Sequence, residues 1–217
     1  MPIRATLWDY GGVILDSPFD AFARYEESNG LPAGLIRSLN AANPDTNAWA
    51  RFERNEVSPG EFARLFEAEA AAAGHRLDAA AVLALLGGGI RPEMVEAVRR
   101  CAERIPTGLV TNTFIGVVAG APVPRRPELE AIMGLFHVVI ESSAVGLRKP
   151  DPRIYEMACE QLGVAPAETV FLDDLGINLK PARAMGMTTI KVVEPGAALD
   201  ELEAAVGFPV RAASVRG

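Results

Sequence analysis

Acidic and polar side chains stand at the ends of three short apolar segments whose composition is typical of β-strands. They are Asp9, after the first segment, Thr111 and Asn112, at the end of the second, and Asp173 and Asp174, after the fourth. In an open parallel sheet the ligand crevice lies beyond the carboxyl ends of the strands. The sequence therefore predicts that these side chains converge on one site.

A basic segment is predicted to reach the same crevice. Arg148, Lys149 and Pro150 precede a predicted helix, and Pro150 disfavours helical backbone in the residue before it. We therefore expect Lys149 to point toward the carboxylates. Its ammonium charge, the Thr111 hydroxyl and the backbone N–H of Asn112 are groups that bind phosphate oxygens.

The clustered carboxylates predict a metal and a reaction. Asp9, Asp173 and Asp174 would repel one another unless a cation neutralised them, and oxygen donors of this kind suit Mg²⁺, which also binds substrate phosphate. Asp9 precedes Gly11 and Gly12, where the backbone can approach a ligand closely. Asp9 is then placed to attack phosphorus and form an aspartyl-phosphate. Each carboxylate alone could be a turn or helix-capping residue, but the set at successive strand ends favours catalysis.

The segments that position these residues alternate between strand and helix. The predicted strands are Ala5–Trp8, Gly108–Thr111, Val138–Ile140, Val170–Leu172 and Thr189–Val193. Helices are predicted over 92–102, 151–162 and 179–185, the last with Pro181 in its first turn. This alternation indicates an α/β fold built on a Rossmann-like parallel sheet.

Residues 17–89 interrupt the alternation directly after the first strand. They are rich in Ala, Glu and Arg, and they contain no strand-like segment. We predict an inserted helical cap domain over 17–89, with hinges near Asp16 and at Gly87–Gly89, and a core formed by 1–16 and 90–217. Its aromatic residues include Trp49, Phe52, Phe62 and Phe66. We expect most of them to form the core of the cap and one or two to face the active site.

Composition restricts the partners and the compartment. The net charge of −7 over 217 residues argues against nucleic acid or an anionic membrane as the main partner. The longest strongly apolar stretch, Ala79–Ile90, is far shorter than the roughly 20 residues of a membrane-spanning helix. Cys101 and Cys159 have no metal-site or redox spacing, so we expect buried, reduced thiols. With no signal peptide evident, these features predict a cytoplasmic protein that acts on a small phosphorylated substrate, without nucleic acid or membrane.

The motif order resembles that of a known family. The segments that carry the likeness are Asp9 to Val13, Thr111 and Asn112, Arg148 to Pro150, and Asp173 and Asp174. Their order resembles the four motifs of the haloacid dehalogenase superfamily of phosphotransferases. Residues 109–113, 149–155 and 171–183 are similar to one subgroup, the phosphatase domain of soluble epoxide hydrolases and the related domain of acyl-CoA dehydrogenase fusions.

The resemblance implies roles for these residues. It implies a Mg²⁺-dependent hydrolase of phosphate monoesters with Asp9 as nucleophile and metal ligand. Thr111 and Asn112 would bind phosphate, and Lys149 would stabilise its charge. Asp174 would bind the metal directly, Asp173 would lie nearby or act through water, and the backbone carbonyl of Gly11 would complete the ligand set.

Position 11 departs from the family pattern. Active phosphatases of this family carry an Asp two residues after the nucleophile, which protonates the leaving alkoxide, whereas this chain has Gly11. Such acid–base assistance is typically worth ~10²–10⁴-fold in rate. A degenerate module that binds a phosphorylated ligand or protein with little or no turnover is therefore the main alternative. A metal-independent dehalogenase is disfavoured, because Asp173 and Asp174 would then have no metal to bind.

Overall fold

Five parallel strands form the central sheet of the computed structural model, which describes residues 1–112, 117–118, 121–122 and 127–212. In chain order the strands are β1 (Ala5–Trp8), β2 (Thr107–Thr111), β3 (Val117–Val118), β4 (Ala121–Pro122), β5 (Val138–Glu141), β6 (Thr169–Asp173) and β7 (Thr188–Lys191). The central sheet has the order β5-β2-β1-β6-β7, and β3 and β4 form a separate antiparallel pair. This arrangement confirms the predicted α/β fold with a Rossmann-like parallel sheet.

Five short helices lie between β1 and the next part of the core. They are α1 (Pro18–Ser28), α2 (Leu35–Ala41), α3 (Ala48–Glu53), α4 (Pro59–Ala72) and α5 (Ala79–Ala84). The remaining helices are α6 (Pro92–Ala102), α7 (Pro127–Met133), α8 (Ser142–Val145), α9 (Pro152–Leu162), α10 (Gly176–Ala184) and α11 (Pro195–Val206), with a 3₁₀ turn at Pro166–Glu168. Each predicted core strand and helix therefore has a counterpart, with shifts at the ends.

Alternate strand residues pack on opposite faces of the sheet. Trp8 and Leu172 belong to a hydrophobic cluster with residues of α6 and α11, whereas Leu7 and Phe171 belong to a cluster with residues of α9 and α10. Both faces are thus covered by helices, which explains why β1 is buried at every residue. Because β1 lies at the centre of the sheet, Asp9 emerges at the middle of its carboxyl edge.

Two predicted boundaries were wrong in informative ways. Helix α10 begins at Gly176, so Pro181 lies inside it rather than in its first turn. The helix starts early because the Asp173 carboxylate accepts a hydrogen bond from the Leu175 N–H (2.8 Å), just before the first turn. Strand β7 ends at Lys191 instead of Val193, whose side chain is 66% exposed beyond the sheet.

The helices α1–α5 pack around a hydrophobic cluster of their own. We refer to residues 17–89 as the cap segment. Its cluster includes Phe22, Trp49, Phe52, Phe62 and Phe66, and the rings of Phe62 and Phe66 stack with centroids 5.4 Å apart. Stacked and edge-on aromatic pairs stabilise such a cluster beyond simple burial. The helical content matches the prediction for 17–89, and its standing as a separate domain stays a prediction.

The two ends of the cap segment leave the core side by side. Leu15 and Ile90 form an antiparallel bridge, and hydrogen bonds run from the Asp16 N–H to the Gly89 carbonyl (2.8 Å) and from the Arg91 N–H to the Ile14 carbonyl (2.9 Å). The packing is tight at Gly88, where a Cβ would lie 3.0 Å from the Asp16 carbonyl oxygen. The two ends of the cap segment are thus joined by backbone hydrogen bonds, and the hinges predicted at the Asp16–Pro18 turn and at Gly87–Gly89 stay a prediction.

The remaining expectations concern single features. Cys101 and Cys159 are buried free thiols, as predicted. Within the described ranges, no helix has both the length and the apolar composition needed to cross a bilayer. Thr113, part of one motif, and residues 213–217 at the end of the chain lie outside the described residues.

Candidate active site

A cavity of about 420 Å³ separates the carboxyl edge of the sheet from the cap segment. The sequence-predicted residues that line it are Asp9, Gly11, Asn112, Lys149 and Asp174. The other two, Thr111 and Asp173, are fully buried at the ends of β2 and β6 and do not line the cavity. The strand ends thus bring the predicted set together, with two members behind the cavity wall.

Lys149 is the centre of a buried ionic network. Its Nζ lies 2.6 Å from Asp9 Oδ1 and 2.7 Å from Asp173 Oδ2, and its side chain is 1% exposed. Burial disfavours the charged ammonium, but Asp173 and Asp9 outweigh that effect and raise the pKa of Lys149. Lys149 therefore remains a cation fixed beside the proposed nucleophile.

Hydrogen bonds from the start of α10 hold the Asp173 carboxylate in place. Its Oδ1 accepts a hydrogen bond from the Leu175 N–H (2.8 Å), and the Asn178 Nδ2 donates to Oδ1 and Oδ2, both at 3.0 Å. Together with the Lys149 contact, these bonds occupy both carboxylate oxygens. Asp174, in contrast, faces the cavity, so direct metal binding fits Asp174 better than Asp173.

The carboxylates carry more negative charge than Lys149 balances. Burial raises the pKa of Asp9 to about 8, with a further rise from Asp173 and Asp174 that Lys149 partly opposes. Burial and Asp173 raise the pKa of Asp174 to about 6. Raised carboxylate values of this kind mark a place where an additional cation would be bound favourably.

The donor set suits a hard divalent cation. Asp9, Asp173 and Asp174 each offer an oxygen, and these oxygens lie within 4.8 Å of one another. The backbone also closes on this group, since Gly12 has a left-handed φ of +75° and a Cβ there would lie 2.3 Å from Asp174 Oδ2. Carboxylate and carbonyl oxygens in a compact cluster are the ligands that Mg²⁺ prefers, so the residues present fit that ion.

Asn112 holds the segment that carries Lys149. Its Oδ1 accepts a hydrogen bond from the Lys149 N–H (2.8 Å), and its Nδ2 donates to the Lys149 carbonyl (3.0 Å). The Lys149–Pro150 peptide bond is cis. The sequence suggested phosphate binding through the Asn112 backbone, and the structure adds a positioning role for its side chain.

Sequence reasoning missed several residues that support the site. Asn178 holds Asp173, and Arg91 donates from Nη1 to the Gly12 carbonyl (2.8 Å). Glu53, from α3, lines the cavity and accepts a hydrogen bond from Arg148 Nε (2.6 Å). Only Asn178 had a local signal, because a residue five positions after Asp173 lies in the first turn of the helix that follows.

The cap segment supplies most of the apolar wall. Its apolar lining residues are Pro18, Phe19, Phe22, Ala41, Pro44, Trp49, Phe52 and Leu86. Of the aromatic residues singled out in the sequence, Trp49 and Phe52 line the cavity, whereas Phe62 and Phe66 are fully buried in the cap cluster. We call the ionic side of the cavity, formed by Asp9, Lys149 and Asp174 with Asp173 behind them, the floor. The largely apolar side formed by the cap segment is the roof.

Comparison with known proteins gives several matches. Over 95% of this chain, the sequence is 34% identical to acyl-CoA dehydrogenase family member 10 of Mus musculus and 32% identical to bifunctional epoxide hydrolase 2 of Sus scrofa. The chain spans 19% and 39% of the lengths of those two proteins. A sesquiterpene phosphatase, astK, of Aspergillus oryzae is 26% identical, covering 75% of this chain and 81% of its own length.

The fold and the family agree with these matches. A crystal structure of a HAD family enzyme from Bacteroides thetaiotaomicron, in complex with magnesium and inorganic phosphate, superposes with a TM-score of 0.56 at 21% identity and covers 88% of this chain and 96% of that one. Residues 3–186 match the family profile of haloacid dehalogenase-like hydrolases. With its strand order and acidic cluster already described, the chain belongs to the haloacid dehalogenase-like hydrolase family.

Proposed function

We propose that this protein is a Mg²⁺-dependent phosphatase that hydrolyses small phosphate monoesters through an aspartyl-phosphate on Asp9. The observation that carries the proposal is the buried network in which Lys149 bridges Asp9 and Asp173 at the floor of the cavity, beside Asp174. Similarity to a sesquiterpene phosphatase, and the magnesium and phosphate bound by a structural neighbour, support the same chemistry.

The metal would be held by Asp9, Asp174 and the Gly11 carbonyl, with Asp173 acting behind them. When bound, Mg²⁺ offsets the charge of the carboxylates and of the substrate phosphate. Asp173 is assigned the supporting role because both of its oxygens already accept hydrogen bonds. Asn112, which lines the cavity, is proposed to bind phosphate oxygens from the end of β2, whereas Thr111 is buried behind the cavity wall and is left out of this part of the proposal.

In the first half-reaction an Asp9 carboxylate oxygen attacks phosphorus, and the bond to the leaving oxygen breaks. Lys149 holds Asp9 in place and offsets the charge that develops on the phosphoryl oxygens. Because Gly11 has no side chain, the leaving alkoxide takes its proton from water. In the second half-reaction water attacks the phosphorus of the aspartyl-phosphate, which releases phosphate and restores Asp9.

Residues 17–89 are proposed as the cap domain over a core of 1–16 and 90–217. Phe19, Trp49 and Phe52 of this segment form an apolar wall opposite Asp9, as a cap over the active site would. Such a wall would limit the access of bulk water to the aspartyl-phosphate.

The experiment compares phosphate release from p-nitrophenyl phosphate and from an alkyl phosphate, with Mg²⁺ and after EDTA treatment. We expect Mg²⁺-dependent hydrolysis by the wild type and none by Asp9→Asn. Gly11→Asp should accelerate the alkyl ester by ~10² or more, because that ester needs a protonated leaving group.

Two outcomes would contradict the proposal. Hydrolysis that survives Asp9→Asn undiminished would exclude the covalent mechanism. A wild type without turnover, whose Gly11→Asp variant gains Asp9-dependent activity, would identify a degenerate binding module.

A further inference from the structure

A set of hydrogen bonds joins the cap segment to the segment that carries Lys149. Arg148 Nε donates to Glu53 Oε2 (2.6 Å), Arg148 Nη1 donates to the Pro44 carbonyl (2.9 Å), and Ser142 Oγ donates to the Glu53 carbonyl (2.6 Å). We call this group, Pro44, Glu53, Ser142 and Arg148, the cap–core clasp. Pro44 and Glu53 belong to the cap segment, and the other two belong to the core.

The clasp differs from an ordinary surface ion pair. The side chains of Arg148 and Glu53 are 21% and 18% exposed, and Ser142 is 1% exposed. Burial raises the pKa of Glu53, and the adjacent Arg148 opposes that rise. Exposed pairs are typically worth little, whereas a partly buried pair left without one partner is costly, so Glu53 and Arg148 depend on each other.

The clasp also stands next to the proposed chemistry. Arg148 precedes Lys149, and the Asn112 side chain makes two hydrogen bonds to the backbone of Lys149. Residues 148–150 therefore contact three parts of the molecule. Arg148 pairs with Glu53 of the cap segment, the Lys149 backbone binds Asn112 at the end of β2, and the Lys149 ammonium pairs with Asp9. Glu53 and Arg148 both line the cavity.

We infer that Glu53 and Arg148 are positioning residues. Their ion pair holds the cap segment in its closed position against residues 148–150, so substrate binding depends on this pair. This inference rests on the proposed function. The Glu53 side chain also accepts a hydrogen bond from the Asn112 side chain, and this bond, like the Arg148 contact, opposes the rise in the pKa of Glu53. Glu53 therefore joins the cap segment to both Arg148 and Asn112, and loss of the Glu53–Arg148 pair is expected to act mainly on KM.

The test is a double-mutant cycle with Glu53→Gln, Arg148→Gln and the double variant. Controls are Arg4→Gln and Glu168→Gln, which remove an Arg–Glu pair of the core that does not line the cavity. KM and kcat are measured with p-nitrophenyl phosphate at saturating Mg²⁺, and Tm is recorded for each variant. Hydrogen exchange is followed without substrate in peptides covering 44–53 and 142–149.

We expect each single variant to raise KM by about tenfold and to speed exchange in both peptides by a similar factor. The effects of the two single variants should be less than additive in the double variant, because both remove the Glu53–Arg148 pair, while Arg148→Gln also removes the bond to the Pro44 carbonyl. Arg148→Lys should recover part of the loss, since it keeps the charge but not the two-point donor geometry. The control variants should leave KM and exchange at the cavity unchanged.

Additive effects in the double variant, or unchanged KM and exchange in both single variants, would overturn the inference. A fall confined to kcat and parallel to a fall in Tm would mean a purely structural role and would overturn it as well. If the wild type hydrolyses nothing, the proposed function fails, and the exchange measurement still decides whether the clasp holds the cap.

Discussion

The floor and the roof of the cavity are built on different principles. At the floor, Lys149 and Asp173 are each fixed by two or more hydrogen bonds or ion pairs, and Asp173 is the last residue of the fully buried strand β6. At the roof, aromatic rings contact one another, with the centroids of Phe19 and Phe22 6.1 Å apart. Polar networks fix individual atoms, whereas apolar packing fixes volume. The floor should therefore govern reaction chemistry, and the roof should govern which organic group fits.

The largest expected effect is at the floor. Asp9→Asn removes the proposed nucleophile with almost no change in shape, so kcat should fall by at least about 10³-fold. Tm should change little, because Lys149 keeps its buried pair with Asp173 and burial, which raises the pKa of Asp9, already disfavours the Asp9 charge that the substitution removes. Steady-state kinetics and thermal unfolding measure both. Asp45→Asn, at an exposed carboxylate of the cavity rim, is the control and should keep its activity.

The next effect separates two adjacent floor residues. Asp173→Asn breaks the buried pair with Lys149 and should lower the free energy of unfolding by about 3 kcal/mol. Asp174→Asn should leave that free energy nearly unchanged but raise the Mg²⁺ concentration for half-maximal activity by roughly 10–100-fold. Urea unfolding and Mg²⁺ titration test the contrast. Equal effects on both quantities would show that the two carboxylates share one role.

A smaller effect is expected at the roof. Phe19→Ala, at a half-buried lining residue, should raise KM for a phosphate ester with a large organic group by up to about tenfold, because apolar contact is lost. KM for a small ester should change little. Phe62→Ala, fully buried and away from the cavity, should instead destabilise the fold by about 3–5 kcal/mol. A change in kcat for both esters with Phe19→Ala would contradict the division between floor and roof.

The smallest effect concerns groups that belong to neither region. Burial raises the pKa of Cys101 to about 12 and also raises that of Cys159. A raised thiol pKa lowers the fraction of reactive thiolate at pH 8, and burial blocks access. Iodoacetamide should therefore leave native activity unchanged, and mass spectrometry should find both thiols unmodified. Rapid alkylation of the folded protein would contradict this prediction. It would show that the hydrophobic cluster around Cys101 or the one around Cys159 opens to solvent.

The floor could be predicted from sequence because its signals are local. A strand buried on both faces is a short apolar run, and Asp9 and Asp174 directly follow such runs. Parallel pairing then brings the strand ends together without any knowledge of side-chain contacts. The start of α10 was predicted too late, because the Asp173 carboxylate accepts a hydrogen bond from the Leu175 N–H and the helix begins before the proline that was expected to mark its first turn.

The roof and the cap–core clasp could not be predicted in the same way. Glu53 and Arg148 are 95 positions apart, and their pairing depends on how α3 meets the end of the core sheet. Aromatic residues at helical spacing indicate a packed helix, yet the spacing does not tell which rings face a cavity. Trp49 lines it and Phe66 does not, because the ring positions follow from the packing of several short helices together.

The bridge between the two ends of the cap segment has a consequence for which inserts the core sheet can carry. Leu15 and Ile90 are bridged as neighbours in an antiparallel pair, so the chain leaves and re-enters the core within about one strand spacing, ~5 Å. A short turn between Leu15 and Ile90 would join the same two points of the core as residues 17–89 do. A different helical insert grafted between Asp16 and Gly89 would meet the same strand order and the same carboxylates. We therefore expect the proposed core to accept a different insert at this connection, and such an insert would need its own partner for Arg148.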